Sequence, residues 1–162
     1  MNIKKMTLGG GLAAAVLAGS LLMSGGAAYA LSGTGYDNTD PSTTGCAATA
    51  TTIASFPITT PSGTSAGTMN VRYSSGCQTN WVQSTSTLSS AYYVQKVIYR
   101  GAQGSLPVGG NNTTDAGSGT SYGNQVYAPG ATCISVRTDI TVAANSVAPN
   151  GVVATTGNKV IC

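Results

Sequence analysis

The sequence predicts an all-β fold: a small antiparallel β-sandwich or barrel closed by two disulfide-stapled hairpins, with at most one short helical turn. Three observations carry this expectation. Short runs of alternating apolar and polar residues are separated by turn signals. Four cysteines fall into two pairs, each symmetric about a proline-containing turn. Beyond residue 30 the chain is rich in Ser, Thr, Gly and Asn, which suit strands and turns and make poor helix interiors.

The first thirty residues stand apart. Met1 to Lys5 is basic, residues 6–23 (MTLGGGLAAAVLAGSLLM) are apolar and uncharged, and SGGAAYA ends in a small-x-small pattern. That order describes a secretory signal peptide cleaved after Ala30. A membrane anchor is the alternative, but the run is Gly-rich and a cleavage pattern follows it. The expected mature chain is residues 31–162, or 162 − 30 = 132 residues, one exported β domain with no membrane segment.

Next comes GYDNTDPSTTGC, residues 35–46. Asp40-Pro41 reads as an N-cap followed by proline at the first helical position. A short helical turn through STTGCAA then delivers Cys46 to its partner, and Asp37 makes a local Asx-type turn. Two functional alternatives exist for the same residues. Asp37 and Asp40 are candidate ligands for a weak extracellular calcium site. They are also the candidate carboxylates of a minimal extracellular hydrolase, although no activating base accompanies them.

Four strands follow. TMNVRY places Met69, Val71 and Tyr73 on one face and Asn70 and Arg72 on the other. AYYVQKVIYR is richer in apolar residues and reads as a strand covered on both sides. The segment at about 101–120 is Gly/Asn/Ser-rich and reads as a flexible surface loop. NQVYAPG is a short strand ending at Pro129-Gly130, and CISVRTDITV alternates Ile134, Val136, Ile140 and Val142 against Ser135, Arg137, Asp139 and Thr141.

The cysteines are Cys46, Cys77, Cys133 and Cys162. An even count in an exported chain makes disulfides the default. The midpoint of Cys46 and Cys77 falls in TPSG, and that of Cys133 and Cys162 falls beside APNG, both type I turn patterns. Residues equidistant from a hairpin turn face one another, so Cys46–Cys77 and Cys133–Cys162 are the expected bridges. A crossed pairing remains the alternative.

Composition excludes much chemistry. The mature chain has five basic residues (Arg72, Lys96, Arg100, Arg137, Lys159) and four aspartates, a net charge of +1, with no histidine and no glutamate. It lacks the positive field of a nucleic-acid binder. A Ser-His-Asp triad, a Cys-His pair and an imidazole metal site are all impossible. No cofactor motif is present. The expectation is a non-catalytic binding or interaction module outside the cell. Its ligand classes are cell-wall polysaccharide or an extracellular protein. Trp81, Tyr92, Tyr93, Tyr99, Tyr122 and Tyr127, with Asn80 and Arg72 as polar partners, are one candidate contact group, and core packing beside Cys46–Cys77 is the other role open to Trp81. A second is an aromatic strip of Tyr93 and Tyr99.

GYDNTDPSTTGCAATATTIAS, VRYSSGCQTNWV and NQVYAPGATC, in that order, resemble the YjfA-like family of bacterial secreted proteins, domain of unknown function 2690. The matching positions are Tyr36, Asp37, Asp40, Cys46, Arg72, Cys77, Asn80 and Trp81. The resemblance implies a small exported β domain and no reaction, cofactor or ligand. Gln78 departs from the family's small residues there, and segment 101–120 is idiosyncratic.

Overall fold

The computed structural model describes residues 31–101, 111–144 and 151–162. The expected signal peptide, the first part of the glycine-rich segment (102–110) and most of the second hairpin turn (145–150) lie outside the described residues.

Ten strands form one antiparallel sheet among those residues. They are β1 (Ala50–Thr59), β2 (Ser65–Ser74), β3 (Thr79–Ser86), β4 (Tyr93–Arg100), β5 (Asn111–Ala116), β6 (Gly119–Tyr122), β7 (Val126–Tyr127), β8 (Ile134–Thr141), β9 (Val152–Thr155) and β10 (Lys159–Ile161). The order is β5-β4-β8-β9-β1-β2-β3-β6, with β10 also on β8 and β7 also on β3. The helical structure consists of two short 3-10 turns, Gly33–Tyr36 and Cys46–Thr49, one more than the sequence led us to expect.

The first hairpin takes the predicted form, and the strands of the second pair as expected on either side of a turn that lies outside the described residues. Gly63 N–H donates to Thr60 C=O at 2.9 Å, closing the TPSG turn. β1 and β2 then pair from Thr59↔Ser65 to Ala50↔Ser74. Just beyond that ladder, Cys46–Cys77 has its Cα atoms 5.6 Å apart. β8 and β10 pair through Ile134↔Ile161, and Cys133–Cys162 follows as the next facing pair. The crossed pairing is therefore overturned. Each bridge closes a loop of about 30 residues and stabilises by roughly 3–4 kcal/mol on the chain-entropy account.

The sheet curls into a half-barrel whose concave side holds the core. Met69, Val71, Val82, Ile98, Ile134, Val136 and Ile140 meet there, with Ile58 and Val126. Residues two apart share a face, so Asn70 and Arg72 of β2, and Trp81 and Gln83 of β3, lie on the convex side. β4 is buried on both faces from Val94 to Ile98, as its continuous apolar character predicts.

Curling brings β4 back against β3 and β7. No backbone ladder joins them among the described strands; side chains close this seam instead. Lys96 is fully buried, and its ammonium group bonds Asp115 on β5, Ser121 on β6 at 3.0 Å and the Val94 carbonyl at 3.2 Å. Burial pushes the Lys96 pKa down, and the hydrogen bond and charge of Asp115 oppose that shift. Gly123 keeps the seam tight, because a Cβ there would lie 3.3 Å from Thr113 Oγ1 and 3.6 Å from Lys96 Cβ.

The expected loop at 101–120 is corrected where the structure describes it. Asn111–Ala116 pairs with β4, and Gly119–Tyr122 pairs with β3. These strands carry mostly Asn, Thr, Ser and Asp at the sheet's outer positions, so no apolar alternation announces them.

Candidate functional site

The opening aspartate-rich stretch is a strap laid across β3 and β7. Gln125 anchors it from beneath. Its fully buried amide accepts from Thr79 Oγ1 at 2.8 Å and donates to Thr39 Oγ1 at 2.9 Å and Thr44 Oγ1 at 2.8 Å. Thr39 and Gln125 also form an isolated β-bridge. Asn38 adopts a left-handed φ of 63°, tolerable for Asn, and its N–H donates to the Gln125 carbonyl at 2.9 Å.

Asp40 caps as predicted: its Oδ1 accepts from Ser42 N–H at 2.6 Å and Thr43 N–H at 3.3 Å. Asp37 does not make a local turn. Its carboxylate pairs with Arg100 of β4 at 2.5 Å and accepts from Tyr127 N–H at 2.7 Å, while Arg100 Nε donates to Tyr127 C=O at 2.6 Å. Ligands 63 and 90 residues away capture the carboxylate, and a local reading could not see them. Asp37 thus ties strap, seam and β7 together. Both carboxylates are therefore engaged by groups within the fold. Among the described residues no three His, Cys, Asp or Glu side chains converge.

The strap also forms one wall of a cleft on the convex face. Pro41, Ser42 and Ala47 line one side, and Arg72, Trp81, Gln83 and Tyr122 line the rest of a space of about 260 Å³. The sheet register builds it. Arg72 on β2 faces Trp81 on β3, and Gln83 on β3 faces Tyr122 on β6. Arg72 is held by Thr52 Oγ1 at 2.6 Å and the Ala50 carbonyl at 3.0 Å. Gln83 Nε2 donates to Tyr122 Oη at 3.2 Å, and Asn70 Nδ2 approaches Gln83 Oε1 at 3.5 Å. Tyr122 is 55% exposed. Trp81 is 2% exposed, so it backs the cleft, and its buried Nε1–H has no hydrogen-bond partner among the described residues.

The structure therefore brings three of the sequence candidates, Arg72, Trp81 and Tyr122, into one site. Asn80 is separated from them. It points to the opposite face, where Tyr73 is its cross-strand neighbour, and its Nδ2 donates to Ala128 C=O at 3.4 Å. There it lines a second space of about 360 Å³ with Ile53, Ile134, Ile161 and Cys162, an apolar setting with no charged side chain. Tyr93 and Tyr99 lie half-buried on the convex face of β4, six residues and about 20 Å apart along the strand. Gln95 and Val97 between them are buried, so the two rings do not form a continuous strip. Sequence reasoning missed Gln83, and it named Tyr122 only as one of several contact aromatics without placing it beside Gln83. Hairpin symmetry about Gly76-Cys77 would have paired Arg72 with Trp81, whereas the β3–β6 pairing that brings Tyr122 to Gln83 has no local signal.

Comparison with family models matches residues 34–139 to the family described as protein of unknown function (DUF2690), and the chain belongs to that family. Neither the curated proteins nor the solved structures contain a match.

Proposed function

We propose that this member of the family is an exported, non-catalytic binding module whose convex-face cleft takes a sugar unit of a cell-wall polysaccharide. One observation carries the reading: hydrogen-bonding groups of Arg72, Gln83 and Tyr122 converge beside aromatic surface in a cleft too small for a folded partner. A sugar presents hydroxyls at its rim and C–H groups on its faces, and amide, guanidinium and phenol groups beside an aromatic ring complement both. The two disulfides are compatible with an extracellular site of action. The four aspartates of the mature chain support the non-catalytic reading. Asp37, Asp115 and Asp139 face cations, and Asp40 caps a turn.

The test is co-sedimentation of the mature protein with purified cell walls and with insoluble neutral polysaccharides. Wild-type protein should pellet with at least one of them. Gln83→Ala with Tyr122→Ala should keep its melting temperature within a few degrees and lose the pelleted fraction. A folded double variant that pellets like wild type places binding elsewhere and refutes the cleft.

A further inference from the structure

We infer that the cleft selects an acidic glycan, with Arg72 as the residue that recognises a ligand carboxylate; this rests on the glycan reading above. Lys96, Arg100 and Arg137 each face an aspartate within 4 Å, and Lys159 lies over the Phe56 ring at 5.6 Å. Arg72 has no carboxylate partner among the described residues, and its bonds go to a threonine hydroxyl and a backbone carbonyl. Asp40 is the one aspartate outside the ion pairs. It neighbours Pro41 and Ser42 of the cleft wall, but its Oδ1 accepts the backbone N–H groups of its own turn.

The two bonds of Arg72 fix the guanidinium without exhausting it. They use two of about five N–H donors, leaving a donor set that suits the two oxygens of a carboxylate. A half-buried cation held rigid beside Trp81 and Tyr122 is a poor arrangement for stability alone. Neither a threonine hydroxyl nor a backbone carbonyl needs a full positive charge as its partner. The uncompensated charge has a use when an anion enters the cleft. Screening there is weaker than on open surface, so the preference for an acid should exceed that of an exposed surface pair.

The experiment uses one batch of purified bacterial wall in three forms. One is native, one has its carboxylates amidated with carbodiimide and ammonia, and one is stripped of phosphate by hydrofluoric acid. Amidation should weaken binding roughly ten-fold or more, and phosphate stripping should leave it unchanged. Raising salt should narrow the gap between native and amidated wall. Arg72→Gln should bind native and amidated wall alike, and Arg72→Lys should keep a salt-dependent preference that is weaker than wild type. Equal wild-type binding to native and amidated wall overturns the charge inference and leaves the glycan reading standing. Loss on phosphate stripping alone reassigns the anion and also overturns it. No binding to any form refutes the glycan reading itself. The wild-type comparison needs no variant, so it decides the matter even where an Arg72 substitution fails to fold.

Discussion

Lys96→Met should leave the protein at least as stable as wild type at pH 7, by zero to about 2 kcal/mol, even though it deletes a fully buried side chain with three hydrogen bonds. The magnitude follows from what each partner faces afterwards. Removing one member of a buried ion pair usually costs about 3–5 kcal/mol, because the other charge is stranded. Here the remaining charge is Asp115, 48% exposed and able to hydrate. Ser121 Oγ and the Val94 carbonyl lose a partner, at about 1 kcal/mol each. Against this stands the desolvation of a buried ammonium, several kcal/mol, and Met fills nearly the same space as the lysine stem.

The pH dependence gives an independent check with a definite sign. Burial lowers the folded-state pKa of Lys96 below its unfolded value near 10.4. Between the two values the unfolded chain binds more protons, so wild-type stability should rise with pH, by at most about 1.4 kcal/mol per unit. Below the folded value the full cost of the charge is present, and near 10.4 it has gone. Lys96→Met lacks this term, so its advantage should shrink as pH rises. Urea unfolding of both proteins at intervals from about pH 7 to about 10.5 measures the difference. A variant destabilised by 3 kcal/mol or more, or a difference independent of pH, would refute the reasoning.

Asp40→Ala should cost about 0.5–2 kcal/mol and Asp40→Asn much less, because the cap needs an acceptor oxygen and not a charge; chemical denaturation checks both. Gly67→Ala should be among the most damaging single changes, since φ is +149° and the new Cβ would sit 2.1 Å from the Thr85 carbonyl oxygen; a soluble variant with wild-type melting would contradict the β2–β3 approach. Replacing Cys46 and Cys77 together by Ser should cost about 2–5 kcal/mol, and non-reducing peptide mapping of wild type should show the Cys46–Cys77 and Cys133–Cys162 links alone.

What the sequence revealed and what it hid divide along the range of the interactions. β2 and β8 were legible because one face of each strand packs on the core and the two-residue period records it, and β4 because its apolar run marks a strand buried on both faces. The disulfides were legible because hairpin pairing keeps partner residues equidistant from a turn, a local rule that reached both pairs. β5 and β6 were hidden because their polar side chains carry no period. Gln125 was hidden for another reason: its burial is made tolerable by Thr39, Thr44 and Thr79, and only the assembled strap supplies them. Gln78 was hidden as well: it occupies a left-handed φ of 57°, uncommon for a residue other than glycine, and its side-chain type does not announce it.

The few charges beyond residue 30 are placed sparingly, and the placement connects fold to site. Lys96 and Arg100 close a seam where no ladder forms, each by reaching from β4 to an acid and to a neighbouring strand. Arg137 meets Asp139 at 2.8 Å, away from hydrogen-bond geometry, while Thr155 donates to the other oxygen of that carboxylate at 2.6 Å. Asp37 holds the strap down, and the strap in turn brings Pro41, Ser42 and Ala47 over the convex face. The cleft therefore depends on the same ion pair that secures the seam, and loosening Asp37 would move a wall of the site without touching Arg72 or Tyr122. In a chain where three of four aspartates face cations inside the fold, the guanidinium left without an acid stands in the cleft that the strap builds. On the proposed reading, a ligand carboxylate would supply the acid that Arg72 lacks among the described residues.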